Sequence, residues 1–150
     1  MQVFVPYVNP FQVAKCLDKR RLNKQIIECR QILKAIANPD GAWGRHPVVI
    51  MWKEYVFWLS FYMKTLELYR DGKEEESRNL GNECAMPCNS PGFLTKNFCE
   101  QHKRRLYTKS PGMYRQFARY GKSDENWYFV NGCVVKYKNG KNITICNKIK

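Results

Sequence analysis

The stretch LDKRRLNKQIIECRQIL, Leu17 to Leu33, holds five Lys and Arg and a single glutamate, Glu28. On a helical wheel of about 100° per residue, Arg21, Lys24, Glu28 and Gln31 share one face. Leu22, Ile26, Cys29, Leu33 and Ile36 form the neighbouring apolar stripe. Glu28 therefore stands at the edge of that stripe, where a carboxylate can be held half-buried in a cleft. Two chemistries fit. The plainer is an ion pair from Lys24 to Glu28, which contributes only about 0.2–0.5 kcal/mol and is weaker in this order along a helix. The other uses Arg21 and Lys24 to hold nucleic-acid phosphates while Glu28 does acid/base or electrostatic work at a sugar. Breaking a glycosidic bond develops oxocarbenium character, which a nearby carboxylate stabilises. The pattern alone favours the ion pair.

Other groups could assist. His46 lies in Gly44-Arg45-His46-Pro47, at the expected start of a helix, so Arg45 and His46 could meet a phosphate or, for His46, cap the turn. His102, Lys103, Arg104 and Arg105 run consecutively, which suits backbone neutralisation. Tyr107, Tyr114 and Tyr120 interleave with Arg104, Arg105, Arg115 and Arg119, as in a DNA groove. Trp127 could supply a stacking or wedge side chain for an extruded base, with core packing as the commoner fate of such a residue, and Trp43 in the GAWG loop is a rival for that role. Cys84, Cys88, Cys99 and His102 read C-x3-C-x10-C-x2-H; four such ligands could bind zinc, although unconnected thiols are the favoured reading. The sequence holds no carboxylate cluster of the kind a metal-dependent nuclease needs.

These residues need a scaffold. The 150 residues are 44% hydrophobic and 14% aromatic, a globular composition consistent with one domain over 1–150. Lys and Arg number 26 against 13 Asp and Glu, a formal net charge of +13, which favours polyanionic partners. The start, MQVFVPYVNPF, is not that of a signal peptide. The longest apolar run, Val48 to Met63, is interrupted by Lys53 and Glu54 and falls short of the ~20 residues of a membrane span, so it reads as a buried helix. A cytoplasmic, membrane-free protein is expected. Seven cysteines, an odd count, suggest reduced thiols.

The chain should begin extended. A short helix over 10–17 is expected, with Asn9 as N-cap, followed by a helix from Asp18 to about Ala37. A long helix from Val48 to about Arg70 comes next. The charged run 71–79 ends or extends it, and 81–95 reads as loop. Helices over 96–106 and 113–120 follow, then a hairpin around Asn139-Gly140. The fold class is mainly α with a C-terminal β-hairpin.

Three blocks in this order, CLDKRRLNKQIIECRQIL, WGRHPVVIMWKEY and FCEQHKRRLYTKSPGMYRQF, resemble the pyrimidine-dimer DNA glycosylase (endonuclease V-like) family. The resemblance is closest to small phage and bacterial members, covers about residues 1–130, and leaves 131–150 as a hairpin extension. It implies a compact helical protein that binds duplex DNA as a monomer, without cofactor or metal, in a bacterial or phage-infected cell. It also implies cleavage of the glycosidic bond of a damaged or modified pyrimidine.

By the same resemblance, the family's essential glutamate falls on Glu28. Its DNA-contacting histidine becomes Arg21, and two of its active-site arginines become Ile27 and Gln31. A Schiff-base (AP-lyase) step would use the amine of Met1, which the bulky Gln2 is expected to leave in place; an α-amine has a pKa near about 8 and is partly neutral at physiological pH. Glu28, Met1, Arg21 and Lys24 are thus the catalytic candidates. Arg20, Gln31, Trp43, Arg45, His46, His102, Lys103, Arg104, Arg105 and Trp127 are the candidates for DNA contact. The rival is a non-catalytic basic nucleic-acid binder using the same face.

Overall fold

The structure is a computed structural model that describes residues 2–143 and 147–148. It is mainly helical with a C-terminal antiparallel sheet. Residues 2–5 are buried and form neither helix nor strand among the described residues. Side chains of three helices satisfy their backbone instead, as buried peptide groups require. Phe4 N–H donates to Gln25 Oε1 at 2.8 Å, Val5 N–H donates to His102 Nδ1 at 2.6 Å, and the Phe4 carbonyl accepts from the Tyr62 hydroxyl at 2.6 Å.

Helix α1 spans Pro10–Cys16, with the Asn9 side chain accepting the Phe11 N–H and Pro10 in the first turn. Helix α2 spans Lys19–Ala37, capped by Asp18, whose carboxylate accepts the Arg21 N–H at 3.2 Å and a hydrogen bond from the Tyr114 hydroxyl. The buried side of α2 is Leu22, Gln25, Ile26, Cys29 and Ile32. Leu33 and Ile36, expected in the core, are only partly buried and pack against it.

The expected long helix is broken. Helix α3 covers Pro47–Trp52, a 3-10 turn covers Lys53–Tyr55, and α4 covers Val56–Arg70. The two halves serve different partners: α3 lies against α2 and the sheet, whereas α4 lies against α1, α2 and the following helix. Asp71-Gly72 closes α4, with Gly72 at φ +80°, and α5 then spans Glu74–Ala85, so residues 81–85 are helix rather than loop. Gly81 explains the close approach of α5 to α1. A Cβ there would stand 2.6 Å from Asn9 Oδ1 and 2.7 Å from Phe11 Cβ.

Helix α6 spans Lys96–Lys109, one turn longer than expected, and a 3-10 segment covers Arg115–Tyr120. The sheet consists of β1 Glu125–Val130, β2 Cys133–Lys138, β3 Lys141–Asn142 and β4 Asn147–Lys148, with β2 pairing each of the others. Asn139-Gly140 makes the expected turn. A second Asn-Gly, 131–132, makes another that the sequence reading passed over; all four residues have positive φ, which suits Asn and Gly. Residues 144–146 of the expected second strand lie outside the described residues.

One cluster of buried side chains runs from Val3 to Tyr128. At its centre the Trp52, Trp58 and Tyr62 rings stack at 5.6 Å centroid spacing. Cys16, Cys29, Cys84, Cys88 and Cys99 are free thiols, but Cys133 is disulfide-bonded, which corrects the expectation of reduced cysteines at that position. No described helix is long and apolar enough to cross a membrane.

Candidate active site

The edge of α2 faces a cavity of about 330 Å³ lined by Gln2, Phe4, Arg21, Lys24, Glu28, His46, Arg105, Lys109, Asn126 and Tyr128. Five elements meet there: the N-terminal segment, α2, the start of α3, α6 and β1. Among the described lining residues Glu28 is the one acid, facing Arg21, Lys24, Arg105, Lys109 and His46.

Glu28 is largely enclosed, its side chain 14% exposed. Oε2 accepts from Gln25 Nε2 at 3.1 Å, while Oε1 has Lys24 Nζ at 3.9 Å. Gln25 is fully buried, and its orientation is dictated by its neighbours. Because Phe4 offers an N–H, the Gln25 oxygen must face it; the amide nitrogen is left to donate to the Gln2 carbonyl at 3.2 Å and to Glu28. Arg21 places its guanidinium over the Phe4 ring, 5.7 Å from the centroid.

His46 caps α3, its Nδ1 accepting the Val48 N–H at 3.1 Å. The neutral ring therefore carries its proton on Nε2. Burial lowers its pKa below the ordinary value of 6.5. The ring sits between Trp43 and Tyr128, at 5.7 and 5.9 Å between centroids.

Lys109 was not among the expected site residues. Its ammonium is held below the ordinary lysine range by partial burial first, then by Arg105, Arg21 and Lys24, with Glu28 opposing. Arg105 is lowered chiefly by burial and donates to the Ser123 carbonyl at 3.1 Å. Asn126 and Tyr128 enter by strand alternation from β1. The start of β1 is held by Gln101 Nε2, which donates to the Glu125 carbonyl at 2.8 Å.

A second cavity of about 400 Å³ shares Arg21, Lys24 and Lys109 with the first and adds Asp18, Arg20, Ser110 and Met113. Together they form a basic groove. A third cavity, of about 290 Å³, is lined by Gln31, Lys34, Ala35, Asn38, Gly41, Ala42 and Trp43. Gln31 and Trp43 thus lie beside the site, joined to it through the Trp43–His46 contact, and not in it.

The remaining candidates part company. Arg45 is exposed in the turn before His46. Lys103 is packed over the rings of Tyr7 and Tyr120, at 4.6 and 4.9 Å. Arg104 donates to the Tyr120 carbonyl at 2.9 Å. Trp127 points away from the cavity, its indole N–H donating to the Glu125 carboxylate at 2.9 Å under Lys136. His102 is wholly buried, so the expected phosphate contact is not open to it; its imidazole anchors Val5 instead. Nor do Cys84, Cys88, Cys99 and His102 form a zinc site. Among the described residues no three His, Cys, Asp or Glu are placed to hold a metal. Met1 lies outside the described residues.

The cavity thus sets one enclosed carboxylate among cations, at the meeting point of the N-terminal segment and α2. Residues 1–68 match the pyrimidine dimer DNA glycosylase family. The match supports a pyrimidine-dimer DNA glycosylase at the level of the family, as the resemblance led one to expect. It takes in Gln2, Arg21, Lys24, Gln25, Glu28 and His46, while Arg105, Lys109, Asn126 and Tyr128 lie beyond it. No curated protein and no solved structure matches the chain.

Sequence reasoning missed Gln25, Lys109, Asn126 and Tyr128. Gln25 carried a usable signal, a polar residue within the apolar stripe of α2. Lys109 lies four residues beyond Arg105, on the same side of α6. For Asn126 and Tyr128 the signal was the alternation ENWYFV before Asn131-Gly132.

Proposed function

We propose that this chain is a DNA N-glycosylase that removes a damaged or modified pyrimidine from duplex DNA, with pyrimidine dimers as the substrate class the family match supports. The observation that carries the reading is the enclosed Glu28 carboxylate ringed by Arg21, Lys24, Arg105, Lys109 and His46. In an ordinary ion pair one cation suffices, and here the nearest, Lys24, is at 3.9 Å.

The cations hold phosphates on either side of the lesion, and the groove past Arg20 continues the track. Extruding a nucleotide costs a few kcal/mol and favours an already weakened pair. The C1′–N bond then breaks with its electron pair leaving on the base. Glu28 stabilises the oxocarbenium ion at C1′ and accepts a proton from the water that adds there. Trp43, beside His46, is the better placed of the two tryptophans to stack on a displaced base. In an associated lyase step the Met1 amine adds at C1′ in place of water. The chain position of Met1, one peptide bond before Gln2, whose carbonyl shares Gln25 with Glu28, supports that reading.

The test is base release from a panel of damaged and modified duplexes, thymine-dimer DNA first, with wild type and Glu28→Gln. A glycosylase loses release in the variant and keeps affinity. Duplex binding without release from any member of the panel would instead make the protein a non-catalytic binder.

A further inference from the structure

We infer that Gln25 is the positioning residue of this site, locking the N-terminal segment and the Glu28 carboxylate into one geometry and leaving Glu28 Oε1 as the oxygen that faces substrate. The inference rests on the glycosylase reading above and assigns work to a residue that touches no DNA.

Gln25 is fully buried, where an unpaired amide is costly, so a glutamine persists there only with its partners in place. Its three hydrogen bonds have distinct ends. Oε1 accepts the Phe4 N–H, and Nε2 divides between the Gln2 carbonyl and Glu28 Oε2. The first two grip the N-terminal segment at consecutive peptide units, on the side facing α2. The third comes from one helical turn before Glu28 on the same face, so the carboxylate is aligned to the segment and not merely to its own helix. Tyr62 and His102 hold the same segment from α4 and α6 but do not bond Glu28. Gln25 is thus the described residue that bonds both parts.

The donor also makes the two Glu28 oxygens inequivalent. Oε2 is occupied by the Gln25 amide, and Oε1 faces the 58% exposed Lys24 at 3.9 Å. A carboxylate that must face a developing cation and then take a proton needs one oxygen fixed and one free. The Gln25 amide provides that division.

Two variants separate positioning from packing. Gln25→Met keeps the volume and removes every hydrogen bond. Gln25→Glu keeps an acceptor for Phe4 and replaces the donor by a second negative charge beside Glu28.

The first readout needs no activity. In the wild type the Gln25 side-chain amide NMR signals should move with pH as a carboxyl titrates, and Glu28→Gln should abolish that response; the Phe4 amide should exchange slowly with solvent and lose its protection in Gln25→Met. A Gln25 amide blind to pH, or unchanged Phe4 exchange in the variant, overturns the tether.

The second readout is single-turnover base release from a thymine-dimer duplex. Gln25→Met should slow release by about 10–100-fold, the scale of a small misplacement of a reacting group, while duplex affinity stays within about twofold. Gln25→Glu should move the acid limb of the pH–rate profile upward, which a purely structural role would not do. Wild-type release rates and an unshifted profile in both variants overturn the role of Gln25 and leave the glycosylase reading standing. A wild type inactive on every duplex overturns that reading, and the catalytic role of Gln25 with it, whatever the NMR shows. If Gln25→Met does not fold, Gln25→Glu decides through its profile.

Discussion

Lys24 Nζ and Glu28 Oε1 stand 3.9 Å apart, at the outer limit of an ion pair, with the lysine mostly in solvent and the glutamate mostly enclosed. Geometry of that kind contributes little to stability, because an exposed cation keeps its hydration and its freedom. Lys24→Ala should change the unfolding free energy by less than about 0.5 kcal/mol and yet weaken duplex binding. Glu28→Gln should leave the fold intact and reduce base release by at least about 100-fold, the lower end of what a general acid/base contributes. Denaturant unfolding and single-turnover release on the same preparations check both. A large loss of stability on removing Lys24 would return the pair to a structural role.

Salt dependence distinguishes the groove cations from the other arginines and lysines of α6. Each phosphate contact adds about 0.9 to the slope of log K against log salt for duplex DNA. Arg21→Ala, Lys109→Ala and Arg105→Ala should each lower that slope by roughly 1. Arg104→Ala should leave it unchanged, since that guanidinium lines neither cavity of the groove and is engaged with the Tyr120 carbonyl, Gln101 and Glu100. Equal slopes for all four variants would disconnect the groove from DNA.

Much of this arrangement was legible from sequence, for reasons that differ by residue. The face of α2 bearing Arg21, Lys24 and Glu28 follows from helical periodicity, which is local. Asp18 and Asn9 announce caps by residue type. His102 was misread because HKRR is a charge run, and nothing local says that one of its four members turns inward to bond a distant backbone N–H. The break at Lys53–Tyr55 depends on α3 and α4 having different partners, again a tertiary fact. Gln25 was legible on physical grounds. A polar residue in an apolar stripe must find partners, and its partners are Gln2, Phe4 and Glu28.

Trp43 is 55% exposed beside His46, and its neighbours offer it little burial. Trp43→Ala should therefore cost less than about 0.5 kcal/mol of stability, as surface substitutions usually do. If the indole stacks on a base, the same change should weaken binding of a lesion duplex by about 1–3 kcal/mol, the usual worth of a base–aromatic stack. Trp127→Ala should have the reverse balance, since its indole N–H and ring are engaged within the sheet. Fluorescence of the wild type, Trp43→Ala and Trp127→Ala during duplex titration would show, from which variant loses the quenching, which ring is covered. Quenching confined to Trp127 would reverse the assignment.

His102 makes the fold sensitive to acid in a predictable direction. Burial lowers its pKa from 6.5 to about 3, with Arg105 adding to the effect. Nδ1 accepts the Val5 N–H, so the neutral ring carries its proton on Nε2, which lies 3.4 Å from the Gln2 side-chain nitrogen, Nε2. The unfolded chain takes up a proton near pH 6.5 and the folded chain resists until about pH 3. Protons therefore favour unfolding across that window. The contribution is present above about 6.5 and lost as pH falls, by about 2 kcal/mol at pH 5 and about 4–5 kcal/mol at pH 3. His102→Asn retains an acceptor near the position of Nδ1 and removes the titration. It should be less stable at pH 7 but lose about 2 kcal/mol less between pH 7 and pH 5 than the wild type. Urea unfolding at both pH values measures the difference, and the wild-type His102 ring signals should not titrate above pH 5. Parallel stability curves, or a ring that titrates near 6.5, would mean that the imidazole is not holding the N-terminal segment as a neutral group.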